Sequence, residues 1–269
     1  GPASSGYPTA PISSTYLFAD AIHPTGAAHA LLANVVYATL SAPAFVSLAP
    51  ETAMATAFNH NTAINDALDS EWAAGSEVSK IRGFASVQYG QQDIDATAYT
   101  PGLDGDSIDL NLGATYRMNE GATFGLAATL GNSSSDAGNI GSFKGSSILV
   151  GVFGQYEVNG LYGRLSYSGG NTDMEIKRNI NLAASTRYES GNTGISQQTG
   201  TIEVGYVFKG DNFKHGPFAG VVSNKADVGS YVENGNTSTG MHFDEFSRDS
   251  NQSHVGYQFS GSFGAIRPY

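Results

Sequence analysis

The sequence predicts a mainly β chain, an antiparallel membrane β-barrel preceded by a helical segment that is a candidate to fill its pore. Three observations carry this. Several stretches alternate strictly between apolar and small or polar residues, tight-turn signals separate long polar segments, and the first quarter of the chain reads as helix instead. The clearest alternation runs from Ile108 to Met118, with Ile108, Leu110, Leu112, Ala114, Tyr116 and Met118 on one face. Asp109, Asn111, Gly113, Thr115 and Arg117 fall on the other, so one face of this strand wants an apolar medium and the other wants water.

Taken in chain order, the first element is an Ala-rich helix from Thr25 to Leu40, expected to stop at Ser41-Ala42-Pro43. A second helix, about Pro50 to Trp72, carries Ala53, Ala57, Ile64 and Leu68 among Asn59, Asn61, Asn65 and Asp66. A helix this polar around its circumference sits either in solvent or in a water-lined lumen, and both readings stand. Alternation then places strands near 80–91, 105–118, 122–132, 143–158, 161–170, 197–209, 215–225 and 252–263, with Ala265 to Tyr269 starting a ninth. Pro217 argues for a strand start, because proline cannot donate to a ladder. Asn119-Glu120-Gly121 and Asn159-Gly160 mark tight turns, while Gln91–Gly105, Asn132–Gly141, Gly170–Ser196 and Lys225–Asn251 read as long polar loops. Short and long connections are therefore expected to alternate, as in outer-membrane barrels, and Tyr89, Tyr116, Tyr156 and Tyr167 fall where an interfacial aromatic girdle would lie.

Composition narrows the function. With 24 acidic and 13 basic residues and no basic cluster, nucleic acid is not an expected partner. No uninterrupted apolar run approaches the roughly 18 residues of a membrane helix, which leaves strands as the expected way through a bilayer. The chain has no cysteine, which removes thiolate chemistry and disulfides. His29, His60, His215, His242 and His254 lack ligand spacing, and Asp104, Asp106 and Asp109 lack the rest of a calcium loop, so no metal or cofactor is expected. Gly1-Pro2 reads as the scar of tag removal.

One constellation carries chemistry. In Asp20-Ala21-Ile22-His23, a carboxylate three residues before a histidine can hold the imidazole tautomer that deprotonates a serine; taken alone, such a pair is more often a helix cap with a surface histidine. Phe18-Ala19-Asp20-Ala21-Ile22-His23-Pro24-Thr25, followed by Gly26, His29, Leu32 and Ser41-Ala42-Pro43, resembles the last block of GDSL-type (SGNH) esterases, and more narrowly of those fused to an autotransporter β-barrel.

The resemblance implies an outer-membrane translocator of a type V secretion system, with Asp20 and His23 as the acid and base of a triad whose serine lies upstream of this chain. It implies a passenger facing the cell exterior, ester hydrolysis by the parent, and insertion with the barrel-assembly machinery and outer-membrane lipid as partners. It divides the chain into 1–43, tag remnant and passenger tail; 44–79, linker and pore helix; and 80–269, barrel. The family's barrels have twelve strands against eight or nine here, so a C-terminally truncated barrel is expected. Gly105-Asp106-Ser107-Ile108 looks like the missing serine block but opens a barrel strand, and it follows Asp20 and His23 where the family's serine precedes them. Two rivals are an active serine esterase, which would need Ser107 within reach of His23, and a soluble β-sandwich binding module, which would need its apolar stripes covered by a second sheet.

Overall fold

The computed structural model describes residues 17–18, 22–74, 77–182, 185–210, 213–234 and 238–261. Two helices, α1 (Gly26–Val46) and α2 (Ala49–Ala74), precede a meander of β1 (Ile81–Ile94), β2 (Leu103–Arg117), β3 (Ala122–Asp136), β4 (Gly141–Val158), β5 (Leu161–Asn181), β6 (Thr186–Tyr206), β7 (Phe208–Lys209), β8 (Phe213–Val228), β9 (Tyr231–Val232), β10 (His242–Phe243) and β11 (Phe246–Gly261). The eight long strands form one antiparallel sheet in the order β1-β2-β3-β4-β5-β6-β8-β11, and β1 and β11 are its edges among the described residues. Both edges keep their inward side chains half-exposed, whereas inward side chains of β2 to β6 are buried. The expected ninth strand at 265–269 lies outside the described residues.

Burial is inverted relative to a soluble protein. Leu126, Val152 and Ile202 are 63%, 54% and 60% exposed, while Asn111, Thr129 and Thr172 are each 0% exposed. The even-numbered stripe of β2 forms part of a continuous outer apolar belt, with Leu110 beside Leu130, Leu130 beside Ile148, and Leu126 beside Val152. From Ile108 to Tyr116 are eight rises of about 3.3 Å, roughly 20 Å in height at a tilt of about 40°, close to the apolar band of a membrane barrel. No second sheet covers the stripe among the described residues, which removes the sandwich reading. Tyr116, Phe124, Tyr156, Tyr206, Phe208 and Phe213 rim the belt at its turn end, and Tyr89 and Tyr167 rim it at the other.

The loop expectation is corrected. The connections proper are only 95–102, 137–140, 182–185 and 229–245 at one end, and 118–121, 159–160 and 207–212 at the other, so lengths do not alternate strictly. The segments read as long loops are largely strand, because the alternation changes sign where the sheet leaves the belt. On β5 the outward stripe runs Leu161, Leu165 and Tyr167, then Asn171, Asp173, Glu175 and Lys177. Its inward stripe runs Arg164, Ser166, Ser168 and Thr172, then Met174, Ile176 and Ile180. Beyond the belt water is outside, so the polar side faces out and an ordinary apolar core forms within.

That core gathers Phe143, Met174, Ile176, Ile195, Val228, Tyr231 and Phe243 around Phe45, Val46 and Met54 of the helices and Leu48 of the turn between them. It also explains why α1 runs past Pro43 rather than stopping there. Burying Phe45, which stacks on Phe143 at 4.6 Å, outweighs the hydrogen bond the proline removes.

The turns follow their residues. Asn159 and Gly160 hold φ of 51° and 85°, the two positive values of the primed hairpin that Asn-Gly favours. Asn119 Oδ1 accepts from the backbone N–H of Gly121 at 2.9 Å and of Ala122 at 2.8 Å, closing the β2–β3 turn. Pro217 is inside β8 rather than at its start, but the β6–β8 ladder ends at Phe218, so its missing N–H falls where pairing is interrupted.

Candidate functional site

The concave side of the sheet holds α2, and side-chain hydrogen bonds bolt the two together along its length. Three consecutive residues, pointing about 100° apart around the helix, each reach a different part of the sheet. Asn59 Nδ2 donates to Ser107 Oγ at 3.0 Å and Asp109 Oδ2 at 2.5 Å on β2. His60 lies between Thr129 Oγ1 of β3 at 2.7 Å and Ser168 Oγ of β5 at 2.9 Å. Asn61 Oδ1 accepts from Thr201 Oγ1 of β6 at 3.0 Å and from Ser166 Oγ at 3.5 Å. An arc of strands from β2 to β6 therefore closes on one turn of the helix.

The tautomer of His60 follows from its neighbours. Thr129 gives its proton to Asn111 Oδ1 at 2.5 Å, so its oxygen accepts from Nδ1–H, and Nε2 accepts from Ser168. A serine hydrogen-bonded to a histidine is also how a nucleophile meets its base. Here the third group is a hydroxyl rather than a carboxylate, and Ser168 is 3% exposed against the bare face of Gly151. The pair is an anchor.

The seat is cut by glycines. A Cβ on Gly151 would lie 2.3 Å from Ser168 Oγ and 2.8 Å from His60 Nε2. One on Gly131 would lie 2.1 Å from Asp109 Oδ1 and 2.6 Å from Thr56 Cγ2, and one on Gly90 would lie 2.8 Å from Asn59 Nδ2. Inward glycines on β1, β3 and β4 thus leave room for a helix whose inward residues are themselves small or polar.

Charge fixes both ends. Toward the turns Arg164 pairs with Asp69 of α2 and lies 3.5 Å from Glu203, which also accepts from Tyr162 Oη at 3.0 Å. Glu71 accepts from Thr115 Oγ1 at 2.6 Å. Toward the loops Glu51 pairs with Arg248 at 2.7 Å, and Thr52 donates to Ser135 Oγ at 3.0 Å. The helix fills the lumen in one register, which decides between the plug and the solvated linker.

An apolar exterior, a polar concave face and a helix threaded along it are the parts of a translocator, and the model of the autotransporter β-domain family matches residues 83–269. The chain belongs to the autotransporter β-domain family. It is a translocator domain, and its place is the outer membrane of a Gram-negative bacterium. The translocator domain of the autotransporter NalP from Neisseria meningitidis superposes with a TM-score of 0.60 at 12% identity, covering 79% of this chain and 75% of that one, a likeness of fold alone. Among sequences, "Esterase EstA" of Pseudomonas aeruginosa is 28% identical over 260 residues, 95% of this chain and 40% of that protein. "Lipase 1" of Photorhabdus luminescens is 27% identical over 266 residues, 96% of this chain and 38% of that protein. The chain thus spans about two-fifths of the length of these relatives.

Of the catalytic residues expected from sequence, Asp20 lies outside the described residues. His23 is exposed just before α1, where Phe18 and Pro24 bridge and Thr25 N–H donates to Leu17 O at 3.0 Å. Thr25 caps α1, its hydroxyl accepting from Ala28 N–H at 3.2 Å. Ser107 lies on β2 with its hydroxyl in the lumen against Asn59. The luminal anchors His60, Thr129, Ser168, Arg164 and Glu203 were missed. For the strand residues the signal was the polar stripe, odd-numbered on β3 and β6 and even-numbered on β5, where a mid-strand arginine or glutamate facing a narrow lumen needs a partner supplied from within.

Proposed function

We propose that this translocator anchors a serine esterase of the GDSL class at the cell surface, with Asp20 and His23 as the acid and base of its triad. The observation that carries the reading is the seated helix α2, which follows His23 and α1 in the chain and leads on towards strand β1. The passenger faces the exterior, from the end where the strands continue beyond the belt. Residues to about 43 belong with the passenger, 44–79 traverse the lumen and 80 onward form the sheet, inserted by the barrel-assembly machinery. The names "Esterase EstA" and "Lipase 1" support ester hydrolysis as the parent activity.

His23, held on a capped turn, would take the proton of a serine supplied from upstream, and Asp20 would fix its tautomer and stabilise the imidazolium. Intact cells displaying the parent protein should hydrolyse a membrane-impermeant chromogenic ester. His23→Ala should lower that rate at least about a thousandfold while antibody detection at the surface is unchanged. Full activity in His23→Ala would refute the assignment, and hydrolysis only after lysis would refute the orientation.

A further inference from the structure

Toward the loop end, Arg178 occupies the inward face of β5 between Ile176 and Ile180, where the rest of the stripe is apolar. It is nevertheless 2% exposed. Its Nε donates to Glu233 Oε1 at 2.8 Å and its Nη2 to Glu233 Oε2 at 2.5 Å, a two-pronged pairing with a carboxylate that is itself buried. Nη2 also donates to the carbonyl of Thr239 at 2.8 Å, and Nη1 to the carbonyl of Ala38 in α1 at 3.4 Å. Glu233 accepts in turn from Met241 N–H at 2.9 Å. Glu189, opposite Arg178 in the β5–β6 register, accepts from Thr239 Oγ1 at 2.5 Å, and Arg187 Nη1 lies 3.2 Å from the same hydroxyl.

One guanidinium therefore joins a barrel strand, the β8–β11 connection and the backbone of the helix that leaves the lumen. Strand pairing does not call for it, since isoleucines fill the neighbouring positions and a buried cation carries a desolvation penalty. The last turn of α1, with Ala42, Phe45 and Val46, is in the core, but the helix ahead of it is otherwise lightly held, with Leu32 and Leu40 61% and 77% exposed. We propose that Arg178 is a positioning residue, which fixes the angle at which α1 leaves the sheet and so the pose of the passenger over the membrane. This rests on the reading that α1 leads into the passenger.

Because the chain has no cysteine, the pose can be measured directly. Nitroxides at Leu32→Cys on α1 and Ser196→Cys on the outer face of β6, in the whole chain in lipid nanodiscs, should give one narrow distance distribution by pulsed electron resonance. Arg178→Met should broaden it at least about twofold, with strands β2 to β6 still protected from hydrogen exchange. Arg178→Lys should not restore the width, since an ammonium cannot reach a carboxylate and two carbonyls as the planar fork does. Arg178→Met/Glu233→Met, which strands no charge, should be as broad as the single variant. An unchanged width in either methionine variant, or rescue by lysine, would overturn the proposal. A wild-type chain whose strands exchange freely in nanodiscs would instead refute the membrane reading, and this assignment with it.

Discussion

Replacing His60 with leucine removes the central bolt between helix and sheet while keeping an apolar group of similar reach. The loss can be worked bond by bond. Two hydrogen bonds, to Thr129 and Ser168, disappear at about 1 kcal/mol each. Thr129 keeps its proton on Asn111, but Ser168 is left buried without its partner, adding about 1–3 kcal/mol. The total of about 3–5 kcal/mol is offset in part, by about 1 kcal/mol, through the apolar carbon that leucine buries. A net loss near 3 kcal/mol corresponds to roughly a hundredfold rise in the population with α2 out of register. Hydrogen exchange of α2 amides in nanodiscs reads that ratio, with β3 and β4 amides as the internal reference. Unchanged α2 exchange, or an equal rise in the strands, would refute the account, because the helix would then be held elsewhere or the sheet would depend on it entirely.

Other expectations follow from the same geometry. Gly151→Val should overpack the seat and cost about 1–3 kcal/mol in thermal unfolding, whereas Gly200→Ala, whose Cβ meets nothing within 4 Å, should lie within about 0.5 kcal/mol of wild type. Val152→Arg, mid-belt and outward, should cost about 2–4 kcal/mol in folding into liposomes, while Asp173→Arg, outward but beyond the belt, should leave the folded yield unchanged. Phe45→Ala should cost about 3–5 kcal/mol and open the apolar seal against Phe143, seen as a rise in ion conductance across planar bilayers. Arg164→Met should cost about 3–5 kcal/mol in the same unfolding assay, because it takes the buried cation from both Asp69 and Glu203.

The belt was legible because alternation has one physical meaning where oil lies outside and water within. Ile108 to Tyr116 could be read directly, and so could the turn at Asn159-Gly160. Met174, Ile176 and Ile180 misled for the opposite reason: they alternate just as well, but on the other parity, so a pattern tuned to the belt lost them among polar residues and suggested a loop. Where a strand crosses from lipid to water its apolar parity flips, and a parity flip without a turn residue is the signal to look for. Pro43 was read as a stop because local propensity cannot see Phe45 packing on Phe143. The luminal site was half-visible. Asn59, Asn61 and Asp66 marked a helix unsuited to a dry core, but only the sheet's curvature brings Ser107, Thr129, Ser168 and Thr201 around it. The Asp20–His23 pair was legible as a motif alone, since Asp20 lies outside the described residues and His23 is exposed.

The most direct test of the inside-out sheet is a spin-label scan along β2. Single cysteines at each position from Ser107 to Arg117, labelled with a nitroxide in the membrane-inserted chain, report collision with oxygen, which concentrates in lipid. Positions 108, 110, 112, 114 and 116 should be oxygen-accessible and 107, 109, 111, 113 and 115 shielded, a period of two in phase with the outward stripe. A flat profile, or one with odd positions facing lipid, would contradict the account.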